Sequence, residues 1–213
     1  MNTAEKLFAE GITFEQFCAD MQCHRQELLD HYHRLALPPD EANALADLAA
    51  VVGSVKALVI TEEWCIDSVL NLPILSRVFA AMPGASLRIV TRSSCWDLAK
   101  RYPGRDGRSH IPTIVFLNAA GEEIGYWSER RDAADAWFQT FLLKDPIPDL
   151  VFKDNQPVPE LKAWMLRRYA AEREVFYQGL WLEVVKELKA VLSNLHRSFP
   201  SRLIREVARS RSE

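Results

Sequence analysis

The stretch Trp64-Cys65-Ile66-Asp67-Ser68 follows a short apolar run, Ala57-Leu58-Val59-Ile60, and it decides how this sequence is interpreted. An almost wholly apolar run of this length predicts a strand that is buried on both faces. The residues from Cys65 to Ala81 predict a helix, which the turn sequence after it ends. The stretch therefore places a single cysteine where a strand is followed by a helix, and Ser68 stands three positions later.

Composition limits the classes of protein to which this chain can belong. It has 213 residues, of which 48% are hydrophobic and 26% charged, with a formal net charge of −3. These values predict a globular protein with a sizeable core. The small net charge gives no electrostatic reason to expect nucleic acid or an anionic membrane as a partner. The oligomeric state is not predicted by composition.

The beginning of the chain contains acidic residues and no continuous apolar segment, so we expect no secretory signal. No apolar run approaches the roughly 18 residues that a membrane-spanning helix needs. We therefore expect a cytoplasmic protein whose four cysteines are reduced at rest.

Three segments follow one another along the chain. Residues 1–54 predict a helical extension that packs on the core, with Thr13 as a helix cap and a second helix beginning after Pro38-Pro39. Residues 55–145 alternate strands with helices in the order β-α-β-α-β-β-α, which predicts a four-stranded mixed sheet flanked by helices. Residues 146–213 predict a proline-rich connector and a long helical segment that bends near Gly179.

The motif around Cys65 resembles the thioredoxin superfamily. Trp64-Cys65-Ile66-Asp67-Ser68 followed by Pro73-Ile74-Leu75 is similar to the W-C-x-x-C-x-x-x-x-P-I-L pattern of that superfamily, with Ser68 in place of the second cysteine. Ile111-Pro112-Thr113 resembles its cis-proline loop, which would face Cys65. Ile60-Thr61-Glu62-Glu63 before Trp64 also resembles a bacterial thioredoxin-like group with an additional N-terminal helical segment. The resemblance implies a thioredoxin-like fold over about 55–143.

Chemistry at this site is expected to centre on Cys65. A cysteine at the start of a helix is close to free N–H groups and to the positive end of the helix dipole, so we expect a lowered thiol pKa. Asp67 acts in the opposite direction if it is ionised, since like charges repel. Ser68 can donate a hydrogen bond to the sulfur of Cys65 but cannot resolve a mixed disulfide. Cys65, Asp67, Ser68 and Pro112 are the predicted catalytic residues.

Substrate contacts follow from the resemblance. In the superfamily, the backbone beside the cis-proline pairs with an extended substrate peptide, so Ile111 and Thr113 are expected to bind substrate, with Trp64 as part of an apolar rim. The resemblance requires no cofactor. Four basic side chains are predicted near this rim: Arg92, Arg101, Arg105 and Arg108. They could favour an acidic co-substrate such as glutathione, or they could simply belong to a solvated loop.

Another sulfur could replace the missing one. Cys95 follows the second predicted strand, and the carboxyl ends of parallel strands lie at one sheet edge, so a Cys65–Cys95 disulfide is a topological option. Cys95 could equally be an ordinary helix-start cysteine. Cys18 and Cys23 are expected to be small buried hydrophobes. We expect no metal site, because His31 and His33 do not share a helix face.

Two functions stay open on sequence grounds. The first is a monothiol thiol–disulfide exchange protein, in which Cys65 forms a mixed disulfide with a protein or small-molecule thiol or disulfide. The second is a non-catalytic binding module that holds a partner in the groove of Trp64, Ile111 and Pro112, or on the apolar stripe of the C-terminal helix. The change at Ser68 leaves the enzymatic character undecided.

Overall fold

Four helices precede the sheet in the computed structural model, which describes residues 2–128, 132–154 and 156–209. Their bounds are α1 Thr3–Glu10, α2 Phe14–Asp20, α3 Arg25–Arg34 and α4 Pro39–Val52. The predicted cap at Thr13 is confirmed, since its side chain accepts the N–H of Gln16 and the Gln16 side chain accepts the N–H of Thr13. Proline at the first position of α4 is equally consistent with the sequence analysis.

The central part of the chain alternates strands and helices. In chain order these are β1 Lys56–Thr61, α5 Ile66–Ala80, β2 Ser86–Thr91, α6 Trp96–Ala99, β3 Thr113–Leu117, β4 Glu123–Ser128 and α7 Asp132–Leu142. The sheet order is β2-β1-β3-β4. Strands β1 and β2 are parallel, and β3 is antiparallel to both β1 and β4. The predicted α/β fold with a four-stranded mixed sheet is therefore confirmed.

Successive residues of β1 point to opposite faces of the sheet, and both faces are covered. Ala57 and Val59 pack with the helices of one face, among them α3, α5 and α9 (Trp181–Arg209). Leu58 and Ile60 pack on the other face with α1 and α6. All four side chains are fully buried, as predicted for a strand enclosed on both faces.

The C-terminal part forms a small hairpin and two long helices. Its remaining elements are β5 Phe152–Lys153, β6 Gln156–Pro157 and α8 Pro159–Val175, followed by a π-helical turn over Phe176–Leu180. Gly179 adopts a φ of 127° inside that turn, which confirms the predicted bend. The apolar stripe of α9 packs on its own chain, with Val184, Val185 and Leu188 buried. This contradicts its use as a partner surface.

The terminal segments are joined to the sheet by specific contacts. Ile12 and Ile89 exchange backbone hydrogen bonds of 3.0 and 2.8 Å, which adds a short antiparallel bridge to the edge of β2. A Cβ atom on Gly125 would lie 2.3 Å from Leu195, so glycine allows α9 to approach β4 closely. The division of the chain at residues 54 and 145 stays a prediction.

A buried histidine links α3 to the C-terminal helices. The side chain of His31 is 1% exposed, and its Nε2 atom is 2.8 Å from the hydroxyl of Tyr169. Its Nδ1 atom is hydrogen-bonded to the hydroxyl of Tyr177 in the π-helical turn. Burial, together with the charges of Arg173 and Arg34, lowers the pKa of His31 to about 4, so the imidazole is neutral at pH 7.

The described helices include none that is both long enough and apolar enough to cross a bilayer.

Candidate functional site

Cys65 lies at the junction between β1 and α5. Its backbone is extended, and it is the residue immediately before the first residue of α5, Ile66. The carbonyl oxygen of Cys65 accepts the N–H groups of Ser68 and Val69 at 3.0 Å, which closes the first helical turn. The predicted position of the cysteine at a strand-to-helix junction is therefore what the structure shows.

The thiol of Cys65 is buried and protonated. The residue is 4% exposed, and its sulfur donates a hydrogen bond of 3.3 Å to the carbonyl oxygen of Ile111. Burial raises the pKa of the Cys65 thiol to about 11, and the charge of Asp67 adds to this rise, while Ser68 and Arg168 act in the opposite direction. The expectation of a lowered pKa is wrong, because the loss of hydration outweighs the helix-start effect.

Ser68 occupies the position of the absent second sulfur. Its side chain is 2% exposed and is hydrogen-bonded to the hydroxyl of Thr61 at the end of β1. The Ser68 hydroxyl also acts on the Cys65 thiol, where hydrogen bonding lowers the thiol pKa. Ser68 thus connects strand, turn and thiol, but it offers no sulfur for disulfide exchange.

Asp67 is held by a residue far away in the sequence. The guanidinium of Arg168 in α8 donates hydrogen bonds of 3.1 and 2.5 Å to the Asp67 carboxylate. It donates a third bond, of 2.6 Å, to Glu172. Burial alone would lower the pKa of Arg168, but the carboxylates of Asp67 and Glu172 outweigh burial and raise it. The charge of Asp67 is therefore compensated by the C-terminal helix.

Trp64 is covered by the same part of the chain. Its side chain is 6% exposed, and its rings lie 5.1 Å from the ring of Phe152 in β5. The guanidinium carbon of Arg92 also lies over Trp64, 5.6 Å from the ring centre. Within the described residues, the indole N–H of Trp64 has no hydrogen-bond partner. Trp64 and Asp67, on either side of Cys65, are thus both contacted from the C-terminal segment.

The loop before β3 faces Cys65. The peptide bond between Ile111 and Pro112 is cis, and the carbonyl of Ile111 is the group that accepts the thiol hydrogen bond. Thr113 is 2% exposed, and its hydroxyl is engaged inside the fold with the carbonyl of His110, at 2.8 Å, and with Ser128, at 2.9 Å. The Thr113 side chain is therefore a structural element of this loop.

A cleft of about 440 Å³ opens beside this loop. Ile111 and Pro112 form one wall, Asp67 and Asn71 of α5 another, and the apolar side chains of Ile147 and Leu150 in the connector lie opposite. A cleft of this volume is of the size that small ligands or a short peptide segment occupy. Of the predicted site residues, Asp67, Ile111 and Pro112 line this cleft, whereas Trp64 and Cys65 are not among its lining residues.

Cys95 does not complete a disulfide with Cys65. All four cysteines are free. The Cys95 thiol donates a hydrogen bond of 3.2 Å to the carbonyl of Thr91 and packs with Leu98 on the other face of the sheet. Burial also raises the pKa of Cys95, to about 11. The two thiols donate to different carbonyls, those of Thr91 and Ile111. A resolving role for Cys95 stays a prediction.

Cys18, Cys23 and His31 lie outside the cleft beside Ile111 and Pro112. Cys18 is buried in the core, as predicted, whereas Cys23 is partly exposed. His31 is engaged by its two tyrosine partners. In the parts of the chain that the structure covers, no group of three His, Cys, Asp or Glu side chains could hold a metal ion.

Sequence reasoning did not identify Arg168 or Phe152. Both lie outside the motif, and Arg168 is 101 residues from Asp67. The one local signal is that Arg168 and Glu172 are spaced by four residues, which is the spacing of an ion pair on a helix. That spacing predicts an ion pair between Arg168 and Glu172, but it does not predict that Arg168 also bonds Asp67.

Comparison with known proteins agrees with this geometry. A sequence model described as thioredoxin matches residues 11–142, which include α2 to α4 as well as the sheet. A protein of unknown function from Pseudomonas aeruginosa, solved at 1.5 Å, is 20% identical with a TM-score of 0.55, and the match covers 82% of this chain and 99% of that one. An HIV epitope-scaffold gives 20% identity and a TM-score of 0.53 over 79% and 96% of the two chains.

The two solved structures establish similarity of fold alone. No curated protein matches the sequence. The family match is of a different kind, because it covers more than half of the chain and includes both the Cys65 turn and the loop of Pro112. The chain belongs to the thioredoxin family.

Proposed function

We propose that this protein is a monothiol thiol–disulfide exchange protein whose reactive group is Cys65. One observation carries this proposal: the Cys65 sulfur lies 3.3 Å from the carbonyl oxygen of Ile111, next to Pro112. A sulfur in this position stands beside a backbone edge where an extended peptide can pair by strand addition. An incoming disulfide bound along that edge would bring one of its sulfurs towards Cys65.

The exchange proceeds in two balanced steps. The Cys65 thiolate attacks one sulfur of a disulfide R–S–S–R′, so a bond forms between Cys65 and R–S while the original S–S bond breaks. R′–S⁻ leaves and takes up a proton. A second thiolate, from a small thiol or a protein, then attacks the mixed disulfide and releases Cys65. Ser68 cannot perform the second step, so release depends on an external thiol.

Burial of the Cys65 thiol must be relieved before the first step can proceed. With a pKa of about 11, roughly one thiol in ten thousand is ionised at pH 7. Since burial is the largest cause of that rise, hydration of the sulfur moves the pKa back towards the usual value. We propose that binding of the partner displaces Phe152 from Trp64 and thereby exposes Cys65.

A second candidate is a non-catalytic binding module. The burial of Cys65 and its raised pKa favour it, because a sulfur that stays protonated is a poor nucleophile. In this case, the cleft beside Ile111 and Pro112 holds a partner without sulfur chemistry. The stripe of α9 is not available for this purpose, since it is buried against its own chain.

Incubation with oxidised glutathione and peptide mass mapping distinguishes the two functions. We expect a glutathione adduct on the peptide that contains Cys65, absent from a Cys65→Ser variant and removed by reduced thiol. Phe152→Ala should form the adduct faster. If Cys65 stays unmodified in both the natural protein and Phe152→Ala while the urea-unfolded chain reacts, the exchange function is excluded and the binding module stands.

A further inference from the structure

Arg92 stands at the rim of the Cys65 site, directly after β2. Thr61 and Thr91 are paired across the parallel strands, so the residues that follow each strand are neighbours at one sheet edge. The Arg92 guanidinium carbon lies 5.6 Å from the ring centre of Trp64 and 5.1 Å from that of Trp96. The side chain is thus placed between two indole rings beside the reactive turn.

Arg92 contacts aromatic rings and is not paired directly with a carboxylate among the described residues. Its guanidinium lies over the rings of Trp64 and Trp96, and across those residues it forms no ion pair. The nearby carboxylate of Glu62 is 5% exposed and accepts the backbone N–H of Ser93 at 2.7 Å. Arg168 is the opposite case, since it bonds two carboxylates. A half-buried guanidinium without a bonded anion is costly, which is typical of a group that awaits a ligand.

Contact with aromatic rings does not occupy the hydrogen-bond donors of the guanidinium. A cation over an aromatic ring is attracted to it electrostatically, and its N–H groups can still donate to an anion. Those donors match the two oxygens of a carboxylate. Trp96 is 46% exposed, so this side of the arrangement is open to solvent. Lys100, 5.4 Å from the Trp96 ring centre, adds a second positive charge.

Arg92 lies beside the residue that precedes Cys65, since its guanidinium carbon is 5.6 Å from the ring centre of Trp64. Burial lowers the pKa of Arg92, and the charges of Cys65 and Glu62 act against that change. A molecule bound to the Cys65 sulfur would lie beside Trp64, and Arg92 lies over the ring of that residue.

We propose that Arg92 binds a carboxylate of the co-substrate, and that the co-substrate is a small anionic thiol or its disulfide. This inference rests on the proposed exchange function and specifies its substrate class. The ligand would extend from the Cys65 sulfur towards Arg92, with its carboxylate on the guanidinium edge. A small thiol of this class also supplies the second sulfur that Ser68 does not.

Binding without sulfur chemistry tests Arg92 directly. In a Cys65→Ser background, S-methylglutathione is titrated while tryptophan fluorescence is recorded, since Trp64 and Trp96 flank the guanidinium. We expect Arg92→Met to weaken binding about tenfold, as the loss of one charged contact implies. Arg88→Met, in the preceding strand β2, should leave the affinity unchanged. Absence of binding, or equal affinity with and without Arg92, overturns the inference.

A pair of disulfides separates recognition of the ligand from an effect on the sulfur. Mixed-disulfide formation at Cys65 is followed with oxidised glutathione, which carries carboxylates, and with cystamine, which carries amines. We expect Arg92→Met to slow the first reaction about tenfold relative to the second. An equal decrease with both reagents would show that Arg92 acts on the thiolate and not on the ligand. Binding without any mixed disulfide would refute the exchange function alone.

Discussion

The carboxylate of Asp67, two residues after Cys65, is bound through both of its oxygens by Arg168, which lies 101 residues later in the chain. The Arg168 side chain is 3% exposed and that of Asp67 is 15% exposed. Glu172 shares the same guanidinium. The first turn of α5 is therefore fixed by an ion pair that is largely shielded from water.

Removal of Arg168 should destabilise the protein more than removal of its partner. Arg168→Met removes the buried guanidinium that bonds both Asp67 and Glu172, at a cost of about 3–5 kcal/mol in the free energy of unfolding. Asp67→Asn should cost less, because Arg168 keeps its bond to Glu172. Urea unfolding at pH 7 measures both variants. Equal and small losses, below about 1 kcal/mol, would contradict a structural role for the pair.

Truncation of Phe152 should increase the reactivity of Cys65. Phe152→Ala removes the ring that covers Trp64, so water gains access to the turn. A decrease of one unit in the pKa of Cys65 would raise its thiolate fraction roughly tenfold. Alkylation of the Cys65 peptide by iodoacetamide at pH 7.5, quantified by mass spectrometry, gives the rate. Leu143→Ala is the matched control, because Leu143 is 87% exposed and its loss should not alter the rate.

Alkylation of Cys65 in the natural protein should rise steadily with pH. Because the folded pKa is about 11, the thiolate fraction increases by roughly a factor of ten for each pH unit across the neutral range. We expect no plateau between pH 6 and pH 9. A rate that levels off near pH 7 would mean that the thiol is activated and that burial does not control it. Mapping by peptide separates Cys65 from the partly exposed Cys23.

Ser68→Cys should restore a dithiol site. The turn already has the backbone of a helix start, and Ser68 contributes to the pKa of Cys65 through a hydrogen bond. We expect a disulfide between Cys65 and the introduced thiol under oxidised glutathione, and reduction of insulin in the presence of dithiothreitol. The variant with both Cys65→Ser and Ser68→Cys should show neither. Failure to form the disulfide would show that the Thr61 contact holds position 68 away from the sulfur.

The free energy of unfolding should decrease as the pH is lowered through 6.5, because of His31. Its folded pKa of about 4 lies below the unfolded value of about 6.5. The unfolded chain therefore binds a proton in this window while the folded chain does not, so stability rises with pH. Between pH 5 and pH 7 the effect is about 2 kcal/mol.

His31→Gln provides the comparison, because glutamine can hydrogen-bond to Tyr169 and Tyr177 but does not titrate. The pH dependence of its unfolding free energy should be weaker than that of the natural protein by the same amount. Parallel curves for the two proteins would show that His31 is not the group responsible.

The sheet and the position of the reactive turn could be predicted from sequence because their signals are local. The apolar run of β1, the cysteine after it and the proline loop before β3 each determine the structure of a few neighbouring residues. The capping box of α2 is of the same kind, since Thr13 and Gln16 are three residues apart.

The covering of the site could not be predicted, because it depends on where the C-terminal segment packs. The start of α5 alone predicts a lowered pKa for Cys65, whereas burial within the folded chain raises it. No spacing in the sequence relates Phe152 to Trp64 or Arg168 to Asp67. The same holds for His31, whose tyrosine partners follow it by 138 and 146 residues.

The two backbone hydrogen bonds between Ile12 and Ile89 bear on how readily the protein aggregates in concentrated solution. Strand β2 is an edge strand of the sheet, and an unpaired edge strand is a template on which another chain can add a strand. Ile12 occupies the N–H and carbonyl groups of Ile89 there. Ile12 therefore blocks the addition of another strand at this position. A chain truncated beyond Ile12 should aggregate more readily even while it stays folded.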